Sequence, residues 1–171
     1  MAHAHVEPRT VAELLARIEA GWTALNDLVG RLDEAQLTAP GAAGWSIADH
    51  LAHLAAWERS VIGLLRGQPR HAAMGIDRDT YARGFDAANA ASQARSAGRS
   101  LAAVRAEVAA THQEVLALLA GLTDADLLRP YAHLLTHEPR ADSGALVPGW
   151  IAGNTDDHYR EHLDWIGWPV K

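Results

Sequence analysis

The chain has 171 residues, 49% of them apolar and 21% charged, with a net charge of −6. That composition fits one ordinary packed domain, expected to span 1–171, and excludes intrinsic disorder. The acidic balance, with Lys171 as the single lysine, gives no general attraction for nucleic acid or an anionic membrane surface.

Cysteine is absent, which excludes disulfides, thiolate metal ligands and a cysteine nucleophile and fits a cytoplasmic location. No stretch approaches the ~20 apolar residues of a membrane span, and residues 1–8 lack the apolar run of a signal peptide. Residues 1–9 are expected to be flexible, so His3 and His5 are left out of the functional argument. Six tryptophans stand against three tyrosines and one phenylalanine. Core packing and helix-end anchoring account for most of them.

Thr10 followed by Glu13 reads as a capping box. Beyond it Leu14, Leu15, Ile18, Trp22, Leu25, Leu28, Val29 and Leu32 recur at helical spacing, which predicts a first helix over 11–31. Asp33 and Gln36 cap one short extra turn, and Pro40, Gly41 and Gly44 mark a loop. Ser46 and Asp49 form the next capping box. Ile47, Leu51, Leu54, Val61, Leu64 and Leu65 continue the stripe of a second helix, ended by Gly67 and Pro69.

The segment 70–98 is rich in alanine and polar residues and reads as a helix or a partly ordered crossover. From Ser100 onward, Leu101, Val104, Val108, Val115, Leu118 and Leu119 define a third helix that ends at Gly121. Thr123 to Asp126 caps another short turn. Residues 130–146 read as loop. Pro148 suits the first turn of a fourth helix, which carries Trp150, Ile151, Asn154, His158, His162 and Trp165 along one side and ends near Ile166. Four amphipathic helices with no run of strands predict an all-α four-helix bundle, with a long crossover between helices two and three. The glycines fall mostly at helix ends and in loops.

His158 and His162 stand at i and i+4, which stacks them on one face of the fourth helix. Both lie within its apolar arc. Two imidazoles so placed converge on one ion at about 2.0–2.1 Å, and a hydrogen-bonded core pair is the structural alternative. The second helix offers His50 and His53 within one turn. On a helical wheel His50 lies nearer the centre of the apolar stripe and His53 beside Trp57, and either meets the fourth-helix pair across the bundle. Three neutral imidazoles from two helices leave coordination positions open, as in catalytic metal sites. Imidazole ligation suits zinc, nickel, copper and iron alike.

His133 and His137 repeat the i, i+4 spacing, but in a region read as loop. His112 on the third helix is expected to make a structural hydrogen bond. Glu58 lies on the apolar face of the second helix, where a carboxylate needs a partner. It would orient a ligand histidine, act as a base or hold an arginine. No phosphate-binding glycine loop and no serine nucleophile elbow is present.

The block Gly44-Trp-Ser-Ile-Ala-Asp-His-Leu-Ala-His-Leu-Ala-Ala-Trp-Glu58 resembles the helix-two signature of the DinB-like superfamily. The block Trp150-Ile-Ala-Gly-Asn-Thr-Asp-Asp-His-Tyr-Arg-Glu-His162 resembles the helix-four signature of its ClbS/DfsB branch. Together they cover about a sixth of the chain. The resemblance implies a DinB-like bundle and takes one metal-binding histidine from the first block and two from the second: His53, His158 and His162. It thereby chooses His53 over His50.

It further implies a metal-dependent enzyme acting on a small molecule, of hydrolase or thiol-dependent transferase type. The cofactor is a divalent transition metal, zinc or nickel foremost. His53 and Glu58 are the candidate catalytic groups, and Trp57, His50, Trp150, Asn154 and Tyr159 the pocket lining. The branch is associated with hydrolytic self-protection against a reactive cyclopropane-bearing genotoxin, which makes a metal-free hydrolase or small-molecule-binding protein the alternative. A non-enzymatic interaction domain is the second alternative. The loop over 131–147 is longer than the branch's pattern, so no substrate carries over. A homodimer through a helix face is compatible with the bundle.

Overall fold

The computed structural model describes residues 7–41, 44–134 and 146–167. Its elements in chain order are α1 (Val11–Val29), α2 (Glu34–Thr38), α3 (Ile47–Leu65), α4 (Arg70–Ala73), α5 (Arg78–Ala82) and α6 (Phe85–Ser96). They continue with α7 (Leu101–Ala120), α8 (Asp124–Leu127), a 3-10 turn (Tyr131–Leu134), α9 (Val147–Ala152) and α10 (Asp156–Gly167). Among the described residues the one non-helical pairing is an isolated bridge between Pro130 and Leu146. No helix there is long and apolar enough to cross a membrane.

The caps fall where the sequence puts them. Ser46 accepts from the Asp49 amide while Asp49 reaches back to the Ser46 amide, so α3 starts on a complete capping box. Asp33 with Gln36 and Thr123 with Asp126 do the same. At α1 the box is half made: Thr10 accepts from the Glu13 amide, but Glu13 accepts from the Arg9 amide instead.

Four helices form the bundle. α3 packs on α7, α1 on α10, and α1–α7 and α10–α3 contacts close the ring. Leu14, Ile18 and Leu25 of α1, Leu54 and Val61 of α3, Val115 and Leu119 of α7 and Tyr159 of α10 meet in the core at 0–1% exposure. Each large apolar side chain so buried contributes about 1.5–3 kcal/mol.

Most glycines fall at helix ends and in loops as expected, and two that lie inside helices allow close packing. A Cβ on Gly21 would lie 3.1 Å from the Tyr159 ring, and one on Gly63 would lie 2.7 Å from the Ala73 Cβ. The missing side chains let α10 close on α1 and α4 close on α3.

The ambiguous segment after α3 is an ordered crossover of three short helices, α4 to α6. Met74, Ile76, Tyr81 and Ala88 from it bury a second apolar cluster against Ala56 and Trp57 of α3. The fourth helix also departs from expectation, because it is broken at residues 153–155 into α9 and α10. The Asn154 and Thr155 amides turn to carbonyls three residues back, at 3.0 and 3.1 Å. Their side chains donate to the carbonyls of Trp150 and Ile151, at 2.7 and 2.8 Å. Local side-chain bonding of this kind competes with the helical ladder.

The new start is anchored at once. Asp156, fully buried, pairs with Arg17 of α1 and with Arg160, both at 2.9 Å. Burial and then Asp157 push its carboxyl up, and the two arginines pull it back. This anchor fixes α10 against α1 two residues before His158.

Candidate metal centre

The second helix-spanning turn of α3 carries His53, and the first turns of α10 carry His158 and His162. Their ring nitrogens converge: His53 Nε2 lies 3.1 Å from His158 Nε2, and His158 Nε2 lies 3.2 Å from His162 Nε2. One nitrogen from each ring lies within 4.8 Å of the other two. Two nitrogens bound to one ion at about 2.1 Å stand roughly 3–3.5 Å apart when their angle at the metal lies between a right angle and a tetrahedral one. The observed separations fall in that interval.

The surroundings keep the rings neutral. Burial, then the neighbouring His158 and His50, lowers His53 to about 3. Burial alone lowers His158 to about 4. His162, with no exposed surface, is driven further down by burial and then by His158, His53 and His50. Neutral imidazole is the form that ligates metal. The outward Nδ1 atoms of His53 and His158 are buried without a partner among the described residues. Three inward nitrogens that face one another with few protons to share are an unfavourable arrangement for bare rings, and a cation between them removes the conflict. The residues therefore fit a divalent ion, which His53, His158 and His162 would hold.

His50 was placed nearer the stripe's centre than His53, and the structure reverses this: His53 is 7% exposed and His50 only partly buried. The wheel gives angle but not depth, and His50 lies on the first turn of α3, at the bundle's mouth. There its Nδ1 meets His162 Nδ1 at 2.8 Å. Trp57 stands edge-on to His53 at 6.3 Å and donates its indole N–H to Asn89 of α6 at 3.0 Å.

Two tryptophans missed as site residues complete the surround. Trp45 lies 5.3 Å from both His50 and His53, and Trp165 lies 4.7 Å from His162. Trp45 was legible in hindsight, since the residue before an N-cap packs on the fourth helical position, here His50.

Glu58 belongs to a different constellation. Fully buried, it accepts from the Tyr159 hydroxyl at one oxygen and from the Thr111 hydroxyl at the other. Its hydrogen-bond partners among the described residues are two hydroxyls, neither an arginine nor a candidate ligand histidine. His112 Nδ1 lies 3.2 Å from the Tyr159 oxygen, and its ring stacks on Trp22 at 4.2 Å. Burial, then Glu58, raises the Tyr159 hydroxyl well above its ordinary value. This polar knot draws on α1, α3, α7 and α10 and gives His112 the structural role expected of it.

Of the other expected pocket residues, Tyr159 is committed to that knot and Asn154 to the helix break. Trp150 faces the guanidinium of the buried Arg70 at 5.1 Å. His133 is exposed on the 3-10 turn. His137 and most of the 131–147 loop lie outside the described residues, as does Trp168.

A crystal structure of an uncharacterised protein from Escherichia coli UTI89 is similar over 94% of this chain and 92% of that one, with a TM-score of 0.69 and 19% identity. At that identity the likeness speaks to the fold alone. No curated protein matches. The family model described as the DinB superfamily matches residues 17–166, nearly the whole bundle including both histidine-bearing helices. The chain belongs to the DinB superfamily.

Proposed function

We propose that this protein binds a divalent transition metal, zinc or nickel foremost, through His53, His158 and His162, and acts as an enzyme on a small molecule. One observation carries the reading: three neutral ring nitrogens from two helices converge at 3.1 and 3.2 Å. Three protein ligands leave a position open for water or substrate. An ion there supplies Lewis acidity and a water of lowered pKa, which serves hydrolysis or the activation of a small thiol. The chain's own part is to hold the ligands and shape the mouth. Arg17 and Asp156 seat α10, the Ser46–Asp49 box seats α3, and Trp45, Trp57 and Trp165 wall the cluster with apolar surface.

A second reading is a metal-free hydrolase or small-molecule-binding self-protection protein of the ClbS/DfsB kind. It draws on the partnerless Nδ1 atoms of His53 and His158, since metal-bound histidines usually donate that N–H to a neighbour. Thermal melting separates the two. Untagged protein at zinc or nickel concentrations of about 100 times Kd gains about 2.7 kcal/mol, a rise of roughly 5–10 °C for a chain of this size. His158→Ala abolishes the rise. An unchanged melting temperature in the wild type contradicts the metal reading and leaves the second.

A further inference from the structure

The functional reading uses three histidines and leaves a fourth beside them without a role. His50 Nδ1 lies 2.8 Å from His162 Nδ1, and the two rings meet edge to face at 4.9 Å and 73°. Two imidazole nitrogens at that distance share a single proton, one ring donating and the other accepting. The opposite end of His162 shows which of the two arrangements is competent for metal. Its Nε2 points to His158 Nε2 at 3.2 Å, inside the three-nitrogen cluster. A nitrogen that gives its lone pair to a metal carries no proton, so a neutral His162 must carry its proton on Nδ1. That N–H donates to His50, and His50 keeps its own proton on Nε2.

His50 is itself held in place. Trp45 precedes the N-cap Ser46, and His50 occupies the fourth position of α3, the pair of sites that a hydrophobic staple uses. Their rings stand 5.3 Å apart, and the Trp165 ring lies 6.1 Å from His50. The outer nitrogens of His53 and His158 have no such partner among the described residues. His162 alone of the three candidate ligands has its outer nitrogen engaged, and the group engaging it is fixed by the start of a capped helix.

We propose that His50 is a positioning residue of the centre: it accepts the Nδ1–H of His162, fixes that ring's tautomer and orientation, and thereby sets the affinity for a divalent transition ion. It is not a fourth ligand, because its near nitrogen meets the outer face of His162 and not the converging Nε2 atoms. The proposal rests on the metal reading above. Partners that orient metal-bound histidines typically contribute 10–100-fold in affinity, roughly the effect expected here.

The test compares untagged full-length wild type with His50→Leu and His50→Asn. Nitrogen-15 spectra of the imidazoles in metal-free protein report the His162 tautomer. Competition with a chromophoric chelator reports zinc affinity. The wild type should show His162 protonated at Nδ1. His50→Leu should lose that preference and bind zinc about 10–100-fold more weakly. His50→Asn places an amide oxygen where Nδ1 stood and should restore both readouts most of the way.

His162 protonated at Nε2 in the wild type overturns the proposal without reference to any variant. So does wild-type affinity in His50→Leu, or an asparagine variant as weak as the leucine one. Failure of the wild type to bind zinc overturns the metal reading instead, while the tautomer spectra still report the His50–His162 bond.

Discussion

Tyr159 shows how single residues divide between holding the bundle and serving the centre. It follows His158 directly, yet its hydroxyl donates to the buried Glu58 carboxylate and its ring lies 6.1 Å from Trp22. A hydrogen bond to a charged group is worth about 1.5–3 kcal/mol. Tyr159→Phe should therefore lower the melting temperature by roughly 3–12 °C while leaving zinc affinity unchanged. Melting curves and a chelator competition check the two halves, and a variant as stable as the wild type contradicts the role given to the knot. The i, i+4 spacing was enough to read His158 and His162 as one face. It did not choose between His50 and His53, because both fall within the arc that faces α10 and differ in depth along α3. Glu58 was legible only as a carboxylate in need of a partner, since its partners come from α7 and α10, far away in sequence.

At the scale of elements, caps and stripes carried most of the information, and interruptions carried the rest. Gly63 interrupts the apolar stripe of α3 because α4 crosses there. Gly63→Ala gains about 0.5–1 kcal/mol of helix propensity but forces a contact that costs about 1–3 kcal/mol. A net loss of about 1 kcal/mol in a denaturant melt is expected; a gain would mean that α4 is free to move aside. The crossover was hard to read because α6 buries only Ala88 and Ser92, too little for a periodic signal. The break between α9 and α10 was hidden for another reason. Asn154 and Thr155 fit a helical pattern as letters, and only their hydrogen bonds to Trp150 and Ile151 show that the ladder is interrupted.

For the whole molecule, the histidine cluster ties folding to pH. His53 and His158 titrate near 3 and 4 when folded but near 6.5 in an unfolded chain. Between these values the unfolded state binds protons that the folded state refuses, so stability falls as pH drops from about 6.5 towards 4 and is recovered above 6.5. Melting temperature followed across that interval should show the decline, and a His53→Asn/His158→Asn double variant should make it shallower without abolishing it, because His50 and His162 are lowered as well. A flat wild-type profile would show that the rings protonate without loss of packing. The bundle as a whole was legible because each long helix displays its own buried stripe. The assembly of the centre was not, because it depends on where α10 restarts after its break and on the Arg17–Asp156 pair that seats it.

Calorimetric titration of zinc into metal-stripped, untagged protein tests the central claim most directly. The convergence of His53, His158 and His162 predicts a single saturable site and its loss in His158→Ala. No saturable heat in the wild type, or equal binding in the variant, would contradict it.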